Sequence, residues 1–97
     1  MGQPMADLHE KFSKAAKIIS FDENSIRKSV YGAYTDHLSD INTADLPEEI
    51  QIFYESVKIR LTSVVPPGAI SSEEALYLAK DILDMADVVR KYYKASL

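Results

Sequence analysis

Ninety-seven residues, 46% of them hydrophobic and 27% charged, are ordinary globular composition and enough for one helical or mixed core. With no cysteine, the chain has no disulfide framework, zinc–thiolate site or thiol nucleophile. The formal net charge is −4, and the lysines and arginines are spread rather than clustered, which argues against nucleic acid and against an anionic membrane surface as partners.

No apolar run is long enough to span a bilayer. The first sixteen residues interleave Asp7, Glu10, Lys11 and Lys14 with apolar positions, unlike a signal peptide. A cytoplasmic, single-domain protein is the expectation for residues 1–97.

Four helical segments follow from periodicity. In the first, about residues 5–19, Met5, Leu8, Phe12, Ala15 and Ile19 recur at three- and four-residue steps. Acidic residues lie early and lysines late, as the helix dipole favours, and Asp7/Lys11 and Glu10/Lys14 are spaced to pair. Ser20 and Glu23 have the spacing of a capping box, with Asp22 as a competing cap. The second helix, about 23–41, turns Ile26, Val30, Tyr34, Leu38 and Ile41 inward. Gly32 weakens it and is read as a point of close packing.

Asp45 and Glu48 form another box, with Pro47 in the first turn of a third helix over about 46–63. Its stripe is Ile50, Phe53, Val57 and Leu61, with Tyr54 at the edge. At about 100° per residue, Ile52 and Ile59 fall on the opposite side, with Ser56 and Ser63 between them. A helix with two apolar faces is either central in its own fold or shared with a partner. Val64-Val65-Pro66-Pro67-Gly68-Ala69 reads as a stiff connector. Ser71 with Glu74 is the clearest capping box, stapled by Ile70 and Ala75. The fourth helix, about 72–94, carries Ala75, Ala79, Ile82, Ala86, Val89 and Tyr93 on one seam, flanked by Leu76, Leu78, Leu83 and Met85. The expected fold is all-α, an up-down four-helix bundle.

Little in the chain supports catalysis. Asp81, Asp84 and Asp87 step along the fourth helix, and Glu48, Glu49 and Glu55 lie on the third. All-α nucleotide pyrophosphohydrolases hold magnesium with acidic clusters on facing helices, so a metal-dependent enzyme of that kind is one alternative. Here the paired-glutamate pattern is incomplete, and Lys80/Asp84 and Asp87/Lys91 have the spacing of surface ion pairs. His9 and His37 are the only histidines; Asp36, His37 and Asp40 make half of a metal site without a second half. No glycine-rich elbow surrounds a serine, and three glycines form no phosphate-cradling loop. No cofactor, metal or catalytic residue is assigned.

From Phe53 onward, a helix bearing Glu55 and Arg60, a short turn, and then Ile70-Ser71-Ser72-Glu73-Glu74-Ala75 is similar to the C-terminal half of HEPN-superfamily helical domains. Active members carry an arginine and a histidine with four to six residues between them. Here Arg60 is followed by Leu61-Thr62-Ser63-Val64-Val65-Pro66, so the resemblance, covering under half the chain, implies a catalytically inactive member. Small bacteriocin-immunity proteins are similar in length and architecture but share no residue motif with the chain.

Six tyrosines remain: Tyr31, Tyr34, Tyr54, Tyr77, Tyr92 and Tyr93. Tyrosine suits interfaces because it buries a large apolar ring while keeping its hydroxyl wet. The expected function is therefore contact with another protein or with a second copy, as an adaptor, regulatory or immunity-type factor. A homodimer is the expected assembly. The expected interface is Ile52, Ile59, Ser56 and Tyr54, extended by Tyr92 and Tyr93.

Overall fold

The computed structural model describes residues 4–63 and 70–97, so the 64–69 connector lies outside the described residues. They form four α-helices: α1 (Met5–Ile18), α2 (Ile26–Ala33), α3 (Glu48–Thr62) and α4 (Ser72–Ala95). A π-helical turn, Tyr34–Leu38, continues α2, and a 3₁₀ turn, Thr43–Asp45, precedes α3. The architecture is all-helical, as periodicity predicts.

The longest helix organises the rest. At 24 residues and about 1.5 Å per residue, α4 runs nearly the length of the molecule, whose longest extent is 39 Å. It packs against α1, α2 and α3, which puts α4, not α3, at the centre. Its buried seam includes Ala75 and Ala79, whose small side chains let neighbouring helices approach closely, beside Leu78, Ile82, Met85 and Val89. By contrast α3 leans mainly on α4 and on the 43–45 turn.

Ser71 caps α4 as predicted: the Glu74 backbone N–H donates to its Oγ at 3.0 Å. Ile70 and Ala75, at the staple positions, are both buried. The other two predicted boxes do not form. The second helix starts at Ile26 instead of residue 23. Asp22 shapes a turn ahead of it, accepting from the Asn24 N–H at its carboxylate and from the Ser25 and Ile26 N–H groups at its carbonyl. The third starts after Pro47, with no side-chain cap, because Asn42 captures the Ala44 N–H and closes the 3₁₀ turn first. Short polar side chains stabilise turns as readily as caps, and spacing alone does not distinguish the two.

The π turn also has a local reason. Val30, Tyr34 and Leu38 are all buried at four-residue steps, each of which overshoots a 3.6-residue turn by about 40°. A wider π turn absorbs that overshoot and keeps Tyr34 and Leu38 over the core. The hydroxyls of Thr35 and Ser39 donate to the Tyr31 and Thr35 carbonyls at 3.0 and 2.9 Å, which eases the altered ladder. Gly32 is not a point of close packing: a Cβ there would lie 3.9 Å from Ile18 Cδ1 and 4.0 Å from Asp36 Oδ2, in ordinary contact.

One correction falls inside α3. Phe53, expected in the core stripe, is half exposed, while Tyr54 is completely buried. The Tyr54 hydroxyl donates to the carbonyls of Leu38 and, at 3.2 Å, Ile41. Carbonyls at the end of a helix lack intrahelical donors. A phenol can satisfy them and phenylalanine cannot, so Tyr54 rather than Phe53 turns inward.

Candidate contact surface on the third and fourth helices

Residues Ile50, Tyr54, Val57 and Leu61 anchor α3 to the core, and this fixes which residues face outward. Ile52 and Ile59 are 74% and 60% exposed, so the second apolar face of α3 is uncovered. Ser56 lies between them and is also exposed. Half-exposed Phe53 and, across on α4, Tyr77 at 65% extend the apolar surface toward the α3–α4 junction. Large exposed apolar side chains gathered on one helix and its neighbour mark contact sites more often than scattered single residues do.

Two of the expected interface tyrosines are placed elsewhere. Tyr54 is internal, as described, and burial pushes its phenol pKa well above the ordinary value. Tyr93 sits at the α1–α4 seam, stacked on His9 with ring centroids 4.6 Å apart. Tyr92 remains on the surface beside Glu49, whose carboxylate holds the Tyr92 hydroxyl pKa up. Tyr77, one of the six tyrosines but outside the expected interface, lies on the same flank of α4 as Tyr92 and Asp81 by its spacing.

Between α3 and α4 runs a groove of about 220 Å³. Buried Ile50 and Met85 contribute to its lining, along with Phe53 and Val88, and Glu49, Asp81 and Asp84 add carboxylates. Toward the start of α4 a second, more polar cleft of about 420 Å³ is lined by Ser56, Arg60, Tyr77 and Asp81 among others. Arg60 is engaged there, its guanidinium 2.8 Å from the Glu74 carboxylate. The expected Lys80/Asp84 pair is absent from the ion pairs among the described residues, whereas Asp87 takes both Arg90 and Lys91. Partial burial, reinforced by the charge of Asp84, raises the Asp81 carboxyl pKa.

The carboxylates considered for metal binding divide among separate tasks. Glu55 accepts from the Thr43 hydroxyl, Asp87 is paired, and only Glu49, Asp81 and Asp84 share a groove. Asp36, His37 and Asp40 line a different cleft with Asp7, Glu10, Lys11 and Lys14. There Lys11 pairs with Asp40 at 2.8 Å rather than with Asp7, and Glu10 with Lys14 at 2.9 Å. Among the described residues no three carboxylate or imidazole groups are grouped so as to hold a metal ion. Nor is any described helix long and apolar enough to cross a membrane.

No protein-family model, curated protein or solved structure matches the chain.

Proposed function

We propose that this protein works by protein–protein contact through the outward face of α3 and the adjoining flank of α4. The observation that carries this reading is the exposure of Ile52 and Ile59, two isoleucines one heptad apart on a helix whose other side is anchored in the core. Exposed Phe53 on the same helix and Tyr77 on α4 supply large rings of the kind that dominate contact energetics. Leaving this apolar area in water forgoes about 25 cal/mol for each Å² that a partner would cover.

Light scattering across about a hundredfold concentration range, on the wild type and on the Ile52→Asp/Ile59→Asp variant, tests the reading. A mass that rises with concentration in the wild type alone, with both proteins equally helical, assigns the face to self-association. A monomeric wild type directs the same variant pair to heterologous partners. Association that the two aspartates leave intact would remove α3 from the contact.

A further inference from the structure

The proposed contact face is asymmetric in charge, and that asymmetry selects among occupants. Glu49, Asp81 and Asp84 line the α3–α4 groove, and none of them has a cationic partner within 4 Å among the described residues. Arg60, in the neighbouring cleft, is already held by Glu74. Lys58, the other lysine or arginine of α3, falls by helical spacing on the flank of Gln51 and Glu55, which bond to Leu46 and Thr43 on the far side from α4. On α4, Lys80 stands one turn before Asp84 but makes no ion pair with it, so the groove combines an apolar lining with three carboxylates outside the ion pairs of the described residues. Asp81 and Asp84 stand three residues apart on α4; partial burial, and secondarily the Asp84 charge, raises the Asp81 carboxyl pKa, and a cation seated between them would relieve the repulsion.

A second copy fits this surface poorly. It carries the same −4, and a two-fold contact centred on the groove would set Glu49, Asp81 and Asp84 near their own counterparts. A channel between two helices, with apolar residues inside and charge along its rim, instead suits a third helix laid in the groove and anchored at three- and four-residue spacing. Resting on the protein-contact reading above, we propose that the α3–α4 groove receives a basic amphipathic helix of a different protein. Its apolar side chains would cover Phe53 and Val88, and its lysines or arginines would meet Glu49, Asp81 and Asp84.

The test is a fluorescence-anisotropy titration of the intact chain with three labelled synthetic peptides: an amphipathic leucine/lysine helix, its leucine/glutamate counterpart, and a lysine/serine peptide without apolar residues. The leucine/lysine helix should bind and the other two should not. Asp81→Asn/Asp84→Asn should weaken binding about tenfold at low salt, the loss of two partly exposed ion pairs, and should flatten its salt dependence. Asp84→Asn alone, at an exposed position, serves if the double variant folds poorly.

Equal binding of the leucine/glutamate or lysine/serine peptide, or indifference to the asparagine variants, would overturn the basic-helix proposal. If Ile52→Asp/Ile59→Asp still weakened binding, the broader contact reading would stand. Self-association with no peptide binding would assign the face to a second copy and also overturn the proposal. Absence of both self-association and peptide binding would overturn the basic-helix proposal and leave the broader contact reading to the same variant pair tested against heterologous partners.

Discussion

Replacing Tyr54 by phenylalanine removes one oxygen from the centre of the molecule and leaves the ring in place. The hydroxyl is completely buried and donates to the Leu38 and Ile41 carbonyls, tying α3 to the end of the π turn. Leu38 keeps a second donor, the Ile41 N–H at 3.2 Å, so the deletion strips satisfaction chiefly from Ile41. The loss should cost about 1.5 kcal/mol, between a net buried hydrogen bond and the desolvation of an abandoned acceptor. For a domain of this size that lowers Tm by about 6–12 °C. The same variant makes a second prediction at alkaline pH. A phenol ionises near pH 10 in the unfolded chain, while burial holds the proton on folded Tyr54 at higher pH. Above that pH the folded state binds the extra proton, so stability falls by about 1.4 kcal/mol per pH unit until folded Tyr54 itself titrates. Tyr34, raised by burial and by the Glu55 charge, adds a smaller slope of the same sign that survives the mutation. Urea unfolding of both proteins between pH 7 and about pH 11 checks both predictions. An unfolding free energy unchanged at neutral pH, or an alkaline slope as steep in Tyr54→Phe as in the wild type, would refute the role assigned to this hydroxyl.

Four further outcomes follow from the packing. Gly32→Ala should stabilise the protein by about 0.5–1 kcal/mol in thermal unfolding, because the added methyl meets only ordinary contacts and the helix gains propensity. Ser71→Ala should cost about 1 kcal/mol through loss of the α4 cap, and Ser71→Asp should restore most of it. Ile52→Asp/Ile59→Asp should shift the unfolding free energy of the monomer by no more than about 0.5 kcal/mol per site, since both side chains are mostly exposed; a collapse of the helical signal would return them to the core. Lowering pH should weaken the Lys11–Asp40 tie. Its hydrogen bond to Lys11 holds the Asp40 carboxyl pKa down, so its contribution is present above the ordinary carboxylate range and lost as pH falls through the depressed value. On so exposed a pair the effect is about 0.5 kcal/mol, and Asp40→Asn should abolish that part of the acid dependence.

The face offered for contact was legible before its surroundings were. Ile52 and Ile59 sit seven residues apart and opposite Ile50, Val57 and Leu61, so a second apolar face is legible from spacing, while its exposure follows from α4 rather than α3 taking the centre. The groove beside them was not legible, because it needs α3 and α4 in register. Lys80 stands four residues before Asp84 and invites an intrahelical pair, yet the two are not joined, and the negative rim that results depends on where Glu49 comes to lie. Tyr92 and Tyr93 are adjacent in sequence and about 100° apart on the helix. One faces solvent near Glu49 and the other stacks on His9, a division set by the neighbouring helices.

By itself the sequence determined the four helices, most of their buried stripes and the Ser71 cap, because these depend on spacing within one turn or two. Only the tertiary structure decided that α4 is central, that the second helix widens into a π turn, and that Tyr54 replaces Phe53 in the core. Both residues satisfy a three- or four-residue stripe with Ile50 and Val57, and hydrophobicity alone favours phenylalanine. What breaks the tie is a pair of carbonyls more than ten residues away in the chain, Leu38 and above all Ile41, that accept the Tyr54 hydroxyl. A local pattern cannot carry the requirements of a distant backbone.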